Sequence, residues 1–290
     1  MSNAPVWPPI PWRPPLPAGW RWPDGSSLAV WVVPNLETFD PAYPMRSGGP
    51  VPDTLGLAER QYGNRVGLDR IRNLLRRYDL LPTAAVNSAL AQESPQLLRD
   101  LVAEGWEIIG HGEVNNRFLP SYPPEQERAT IADSLAALAA VTGQRPRGWL
   151  SPGLRQTRHT LTHLADEGVR YVADWVNDDR PYHLGNTGLV SIPYTVEAND
   201  KTAYDRRGLT PDEFVMLVRR QFDFLHAESQ HTPAVFTLAL HPYLSGVPHR
   251  MAATEAVLQH LRSRDGVWFA TGSEIVDAYL TLTGQPPDRA

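Results

Sequence analysis

Hydrophobic positions along the chain fall into two kinds of run. Residues 28–34 and 234–240 are short and almost continuously apolar, as strands buried on both faces are. Residues 82–87, 106–109, 147–150, 169–173, 189–194 and 267–270 form further short runs that read as strands. Between them the apolar residues recur at helical spacing. Val66, Leu68, Ile71, Leu74 and Leu75 predict a helix over 65–78. Ile131, Leu135, Leu138 and Val141 predict another within 121–142, closed by Gly143. Helices are also expected over 94–104, 157–167, 210–228 and 251–264, and from Ser273 onward. The 210–228 helix opens with Thr210-Pro211-Asp212-Glu213, an N-cap residue with proline at the first helical position.

Strands followed by helices recur about eight times, roughly 25 to 40 residues apart, which predicts a parallel sheet covered by helices. At 290 residues a closed or distorted α/β barrel is preferred to an open doubly wound sheet. Gly110-His111-Gly112 lacks the third glycine of a dinucleotide-binding loop, and no phosphate-binding loop is present. A single barrel is expected over residues 24–285. It is preceded by an arm, residues 1–23, rich in proline and tryptophan, stiff and laid over its own barrel or a neighbouring subunit. Residues 41–63 read as a long Pro/Gly-rich loop of the kind that forms lids, and with residues 180–189 they are expected to shape a pocket.

The polar residues that could do chemistry follow predicted strands. Asn35 and Glu37 come after the first, and His111 and Asn115 after the run at 106–109. Ser151, Asp174, Asp178, Asn199, Asp200 and His241 occupy equivalent places further on. If the strands are parallel, these groups converge on one rim. Two imidazoles and several carboxylates there suit proton transfer, metal-assisted hydrolysis or both.

Composition narrows the choices. The net charge is -5 and the pI about 6.0, without a Lys/Arg run, so a nucleic-acid footprint is absent. There are no cysteines, so thiol nucleophiles, disulfides and thiolate metal sites are excluded, and any metal must be held by His, Asp, Glu or Asn. No apolar run approaches the roughly 18 residues of a membrane span. The N-terminus lacks a basic stretch followed by an apolar one, so the chain is expected to be cytoplasmic and to act on a small molecule.

In order along the chain, Trp22-Pro23-Asp24-Gly25, Asn35-Leu36-Glu37, Gly105-Trp106-Glu107-Ile108, His111-Gly112, Arg147-Gly148-Trp149, Asp178-Asp179-Arg180-Pro181-Tyr182, Ile192-Pro193-Tyr194, Asn199-Asp200 and Leu240-His241 resemble the polysaccharide deacetylases of carbohydrate esterase family 4. They are nearer to the branch that contains the bacterial allantoinase and the cyclic imide hydrolases. The resemblance implies a distorted barrel of seven or eight strands. It also implies zinc or another divalent ion held by a carboxylate and a His-x-x-x-His pair, an acidic base, and a histidine acid on a late strand.

Carried over by position, Glu37 is the first-motif carboxylate, His111 the first histidine and His241 the late one. Asn115 stands where the second histidine would be, and an amide carbonyl is a poor zinc ligand. Glu37, His111 and Asn115 could therefore hold a metal weakly, or none. The expected chemistry is hydrolysis of a C–N bond in a small cyclic amide, imide or ureide. Glu37 or an aspartate of the 174–179 loop, Asp178 among them, would act as base. His111 and His241 would polarise the carbonyl or protonate the leaving nitrogen. Backbone N–H groups near Ser151 would hold the oxyanion. Trp149 or Trp175 would stack on a planar ring. Asn35, Asp174 and Asn199 complete the expected substrate contacts. A carbohydrate N-deacetylase and a non-catalytic binding barrel are the alternatives. A homo-oligomer is expected from the tryptophan-rich arm and the resemblance.

Overall fold

The computed structural model describes residues 11, 12, 16–46 and 48–284; most of the proline-rich arm lies outside them. The strands are β1 (Pro11–Trp12), β2 (Leu28–Leu36), β3 (Thr83–Val86), β4 (Glu107–Gly110), β5 (Gly148–Trp149), β6 (Tyr171–Val172), β7 (Tyr182–Leu184), β8 (Val190–Ser191), β9 (Ala234–Leu240) and β10 (Val267–Phe269). The helices are α1 (Thr54–Tyr62), α2 (Leu68–Arg77), α3 (Leu90–Glu93), α4 (Pro95–Ala103), α5 (Pro124–Thr142), α6 (Thr160–Asp166), α7 (Pro211–Ser229), α8 (Pro242–Ser245), α9 (Pro248–Arg262) and α10 (Gly272–Leu282).

β2 is the spine. Residues alternate across a strand, so Ala29, Trp31 and Val33 face the barrel interior while Val30 and Val32 face the helices. Along one edge β2 pairs with β9 from Leu28↔Ala234 to Pro34↔Leu240. Its other edge is shared. β10 pairs with its beginning, Leu28↔Val267, and β3 with its end, Asn35↔Ala85 and Leu36↔Val86. From β3 the sheet runs through β4, β5, β6 and β8, all parallel. β7 and then β1 add antiparallel strands at the far edge.

The sheet thus curls into an incomplete barrel. Between β8 and β9 the contact thins to single links. The Thr237 hydroxyl donates to Pro193 O at 2.7 Å, Ala239 N–H donates to Ala198 O at 3.1 Å, and Asn199 and Ala239 form an isolated bridge. A distorted α/β barrel is what the sequence predicts. The distortion comes from one long strand with two partners on one edge and from strands only two residues long on the opposite side.

A polar plug closes the N-terminal end of the strands. The Glu107 carboxylate accepts from the Thr83 hydroxyl (2.7 Å), the Tyr171 hydroxyl (2.8 Å) and Ser273 N–H (3.2 Å), and Trp31 Nε1–H donates to Thr83 Oγ1 at 2.8 Å. The described part of the arm lies on the chain's own strands: buried Trp22 donates to Ala234 O at 3.2 Å and packs on Trp268 at 5.6 Å between ring centroids. Among the described residues no helix is long and apolar enough to cross a membrane.

Two differences from the sequence reading have local causes. Residues 41–63 are not one loop. Asp53 accepts from Gly56 N–H at 2.9 Å and caps α1, whose exposed Leu55 and buried Arg60 leave no apolar stripe to betray a helix. From α1 the chain passes through a wide π-turn, Gly63–Gly67, into α2 without a break. Likewise 180–189 holds β7, too short for its alternation to be recognised.

Replacing Trp31 with alanine removes a fully buried indole and its hydrogen bond to Thr83. It is expected to cost about 3–5 kcal/mol in urea denaturation. Phe224→Ala, at a position 68 % exposed, should stay within about 0.5 kcal/mol.

Candidate active site

The carboxyl ends of β2, β4 and β9 deliver Glu37, His111 and His241 to one point. Asp200 arrives from the stretch that follows β8. All four are at most 5 % exposed. Glu37 Oε1 lies 3.3 Å from His241 Nε2 and 3.8 Å from His111 Nε2. His241 Nδ1 meets Asp200 Oδ1 at 2.6 Å. The other Asp200 oxygen accepts from His241 N–H at 2.7 Å and from the Ser245 hydroxyl at 2.6 Å. The result is a buried line of carboxylate, imidazole and carboxylate.

Charge follows from this line. Burial alone would push the His241 imidazole down, but the charges of Asp200 and Glu37 outweigh it and raise its pKa to about 9. Burial pushes the Glu37 carboxyl up. The His241 charge and the contacts of both imidazoles overcome that and hold it well below the usual carboxylate range. At neutral pH the line is Glu37⁻, His241⁺ and Asp200⁻.

His111 is oriented differently. Its Nδ1 lies 2.6 Å from Leu150 O, and a carbonyl can only accept, so Nδ1 carries a hydrogen and Nε2 is the ring atom that faces Glu37. Gly110 and Gly112 are small for steric reasons: a Cβ at Gly110 would sit 2.6 Å from the Trp149 ring, and one at Gly112, where φ is +70°, 2.7 Å from Pro152. Asn87 ties the two strand exits together, accepting from Thr38 N–H at 2.9 Å and donating to His111 O. Asn64, from the Gly63–Gly67 turn, donates to Glu37 O at 2.9 Å. That turn packs against α8 so closely that a Cβ on Gly67 would lie 2.2 Å from Pro242 O, one residue beyond His241.

These groups open into a cavity of about 120 Å³, lined also by Asn35, Asn115, Ser151, Gly153, Tyr194, Asn199, Lys201 and Arg206. Asn35 donates to the Tyr194 hydroxyl at 3.2 Å, and burial keeps that phenol protonated. The Glu37 Oε2 and Asn115 Oδ1 atoms are buried with no hydrogen-bond partner.

Of the residues expected from the sequence, Glu37, His111, His241, Asn35, Asn115, Ser151 and Asn199 line this cavity. Asp178 does not; it accepts from Arg180 N–H at 3.0 Å and lines a separate cavity with Asp179 and Glu197. Trp149 is fully buried beneath Gly110, its Nε1–H on Ser151 Oγ at 3.0 Å, so it cannot stack on a ligand. Trp175 packs against the Trp149 cluster and does not line the cavity either. Asp174 acts from behind: it accepts Ser151 N–H at 2.6 Å and a Gln156 amide hydrogen, and burial raises its pKa. Ser151 N–H is therefore committed to Asp174 rather than free for an oxyanion.

Sequence reasoning placed Asp200 on the rim without giving it a role and assigned none to Asn64, Asn87, Tyr194, Lys201 or Arg206. The signals available were the adjacency of Asn87 and of Asn199-Asp200 to predicted strand ends, and the place of Ile192-Pro193-Tyr194 and Asn199-Asp200 among the family-like motifs.

A curled parallel sheet with buried acid–base groups at its carboxyl end defines a hydrolase-like α/β barrel. The model of the polysaccharide deacetylase family matches residues 61–172, which contain His111 and Asn115 but neither Glu37 nor His241. PuuE allantoinase superposes with a TM-score of 0.81 at 27 % identity, covering 93 % of this chain and 94 % of its own. A Schizosaccharomyces pombe protein assigned to the polysaccharide deacetylases is 27 % identical over 89 % of this chain and 92 % of its own length. The peptidoglycan deacetylase of Helicobacter pylori is 22 % identical over 76 % and 85 % respectively. The chain thus shares a polysaccharide deacetylase segment over residues 61–172 and resembles these proteins over most of its length, and the relatives support a hydrolase acting on C–N bonds other than peptide bonds.

Asp200→Asn should destabilise the fold by about 3–5 kcal/mol, because it strands His241. The wild-type pH dependence has a definite sign. His241 is raised from 6.5 to about 9, so its contribution is full below about pH 6.5 and is lost as pH rises through 9. Glu37 is depressed, so its contribution is present above the ordinary 4.5 and fades only in strong acid. Denaturation midpoints from pH 5 to 10 should fall above pH 7 in the wild type and much less in Asp200→Asn.

Proposed function

We propose that this chain hydrolyses a C–N bond in a small amide, imide or ureide, cyclic substrates of the allantoin kind included, and that it does so with Glu37 and His241 as base and acid. The observation that carries the reading is the 3.3 Å approach of Glu37 to a His241 held by Asp200, buried in a cavity of about 120 Å³.

Water beside Glu37 attacks the carbonyl carbon. Its proton passes to the carboxylate as the new C–O bond forms, and the oxyanion is met by backbone N–H groups. Gly153 supplies the next N–H after Ser151, since Pro152 has none, and it lines the cavity. His241 Nε2–H then protonates the nitrogen as the C–N bond breaks, releasing a carboxylic acid and an amine or ureido nitrogen. The two transfers support one another. While His241 is charged it holds the Glu37 carboxyl weakly basic. As the imidazolium gives up its proton, the carboxylate loses its counter-charge and holds a proton more firmly. Asp200 keeps Nδ1 protonated and the ring fixed. His111, fixed by Leu150 O with Nε2 3.8 Å from Glu37, orients the attacking water.

The reaction is proposed to proceed without a metal. The second position of the His-x-x-x-His pair is Asn115, and the Glu37 oxygen nearest both imidazoles faces the charged His241. Among the described residues no group of three or more His, Asp or Glu side chains is placed to hold a metal ion. The unpartnered oxygens of Glu37 and Asn115 suit water or a substrate N–H better than zinc, which favours imidazole and thiolate.

Hydrolysis of allantoin, hydantoin and cyclic imides, with chitooligosaccharide as the polymer control, tests the reading. Glu37→Gln and His241→Asn should each lower kcat by about 100- to 10,000-fold. Turnover should survive dialysis against a chelator, and kcat/KM should fall as pH rises through about 9, where His241 loses its proton. Chelator-sensitive turnover with stoichiometric zinc would return Asn115 to the ligand set, and activity confined to the chitooligosaccharide would overturn the small-substrate reading.

A further inference from the structure

Arg206 lines the cavity beside Lys201 and, among the described residues, forms no ion pair with a carboxylate. Residues Lys201–Arg206 form a π-turn, in which Arg207 N–H donates to Thr202 O at 2.9 Å, five residues back. In an α-helix a residue five places on would swing about 140° away from its start. A turn closed five residues back stacks it over the start instead. The wide turn therefore brings Lys201 and Arg206 to the same cavity wall.

Their surroundings differ. Lys201 Nζ is engaged, with Asp205 Oδ2 at 2.9 Å and the Tyr243 hydroxyl at 2.8 Å. Asp205 is engaged twice, since Arg46 reaches its other oxygen at 3.1 Å. That leaves the wall with more positive than negative charge, and among the described residues the Arg206 guanidinium has no ion-pair or hydrogen-bond partner. The opposite end of the cavity is the Glu37 carboxylate, with the second oxygen unpartnered. The cavity is polarised: its catalytic end repels an anion and its Lys201–Arg206 wall attracts one.

We propose that the substrate carries a carboxylate, seated on Arg206 with Lys201 behind it, and that this group directs the scissile amide toward Glu37 and His241. The class is a small amide, imide or ureide with an acidic arm. The inference rests on the hydrolytic reading above. A planar guanidinium binds a carboxylate through two parallel hydrogen bonds, so it fixes orientation as well as affinity.

Hydantoin and hydantoin-5-acetate differ in the carboxylate arm and serve as the paired probes. Wild-type kcat/KM should favour hydantoin-5-acetate at least tenfold. Arg206→Gln should raise KM for it about 10- to 100-fold with a much smaller change in kcat, and Arg206→Lys should recover part of the loss. Arg206 is exposed, so the variant is expected to fold, and its thermal midpoint checks that. Equal turnover of the two probes, or an equal effect of Arg206→Gln on both, overturns the carboxylate site while leaving the hydrolase standing. If neither probe is turned over, calorimetry with the same pair decides. Tighter binding of hydantoin-5-acetate that weakens with added salt and disappears in Arg206→Gln supports the site and removes the hydrolytic reading for this class. No Arg206-dependent difference overturns it.

Discussion

Glu37, His241 and Asp200 place two negative charges and one positive charge where water barely reaches. Such a line is stable only while all three members are present, because an unpaired buried charge costs several kcal/mol. The surrounding structure serves that requirement. Asp200 takes the His241 backbone N–H and the Ser245 hydroxyl as well as the ring, so its lone pairs are used rather than left bare. Tyr194, Asn35 and Asn64 fill the remaining polar positions around it. The chemistry needs the same arrangement, since an imidazolium between two carboxylates stores a proton through neutral pH and can release it to a nitrogen.

The incomplete barrel explains where the cavity opens. On the β2–β9 side seven consecutive residue pairs hold the strands together. Across the circle, β5, β6 and β8 are two residues long, and β8 meets β9 through isolated links. Chain that would continue the strands in a regular barrel turns instead into the segment that carries Asn199, Asp200, Lys201 and Arg206. Two π-turns border the site, Gly63–Gly67 and Lys201–Arg206, each changing which side chains share a face. The first brings Asn64 to Glu37 and lets α8 approach without a side chain between. The second sets two cations on one wall.

Some of this was legible along the chain. The strands at 28–34 and 234–240 announce themselves because burial on both faces demands unbroken apolar residues. His111 and His241 stand out because a histidine directly after such a run must lie at a strand's carboxyl end. α1 was hidden because it buries a glycine and an arginine rather than an apolar stripe, and β7 because three residues carry too little alternation. The tryptophans misled for a related reason. A ring next to a motif can as easily be packing as binding, and Trp149 is fixed beneath Gly110.

What the sequence by itself determined was the periodic alternation of strand and helix, and with it the side of the sheet on which polar residues would gather. Those properties depend on local spacing, which a linear chain records. The tertiary structure alone decided which of the gathered residues touch. Asp200 and His241 are 41 residues apart and meet at 2.6 Å, while Asp178, in an equivalent place after its strand, faces another cavity. It decided the charges as well, because the protonation of His241 and Glu37 follows from their burial and mutual distance. Pairing across the fold and exclusion of water are properties of the packed chain, and no spacing along the sequence encodes them.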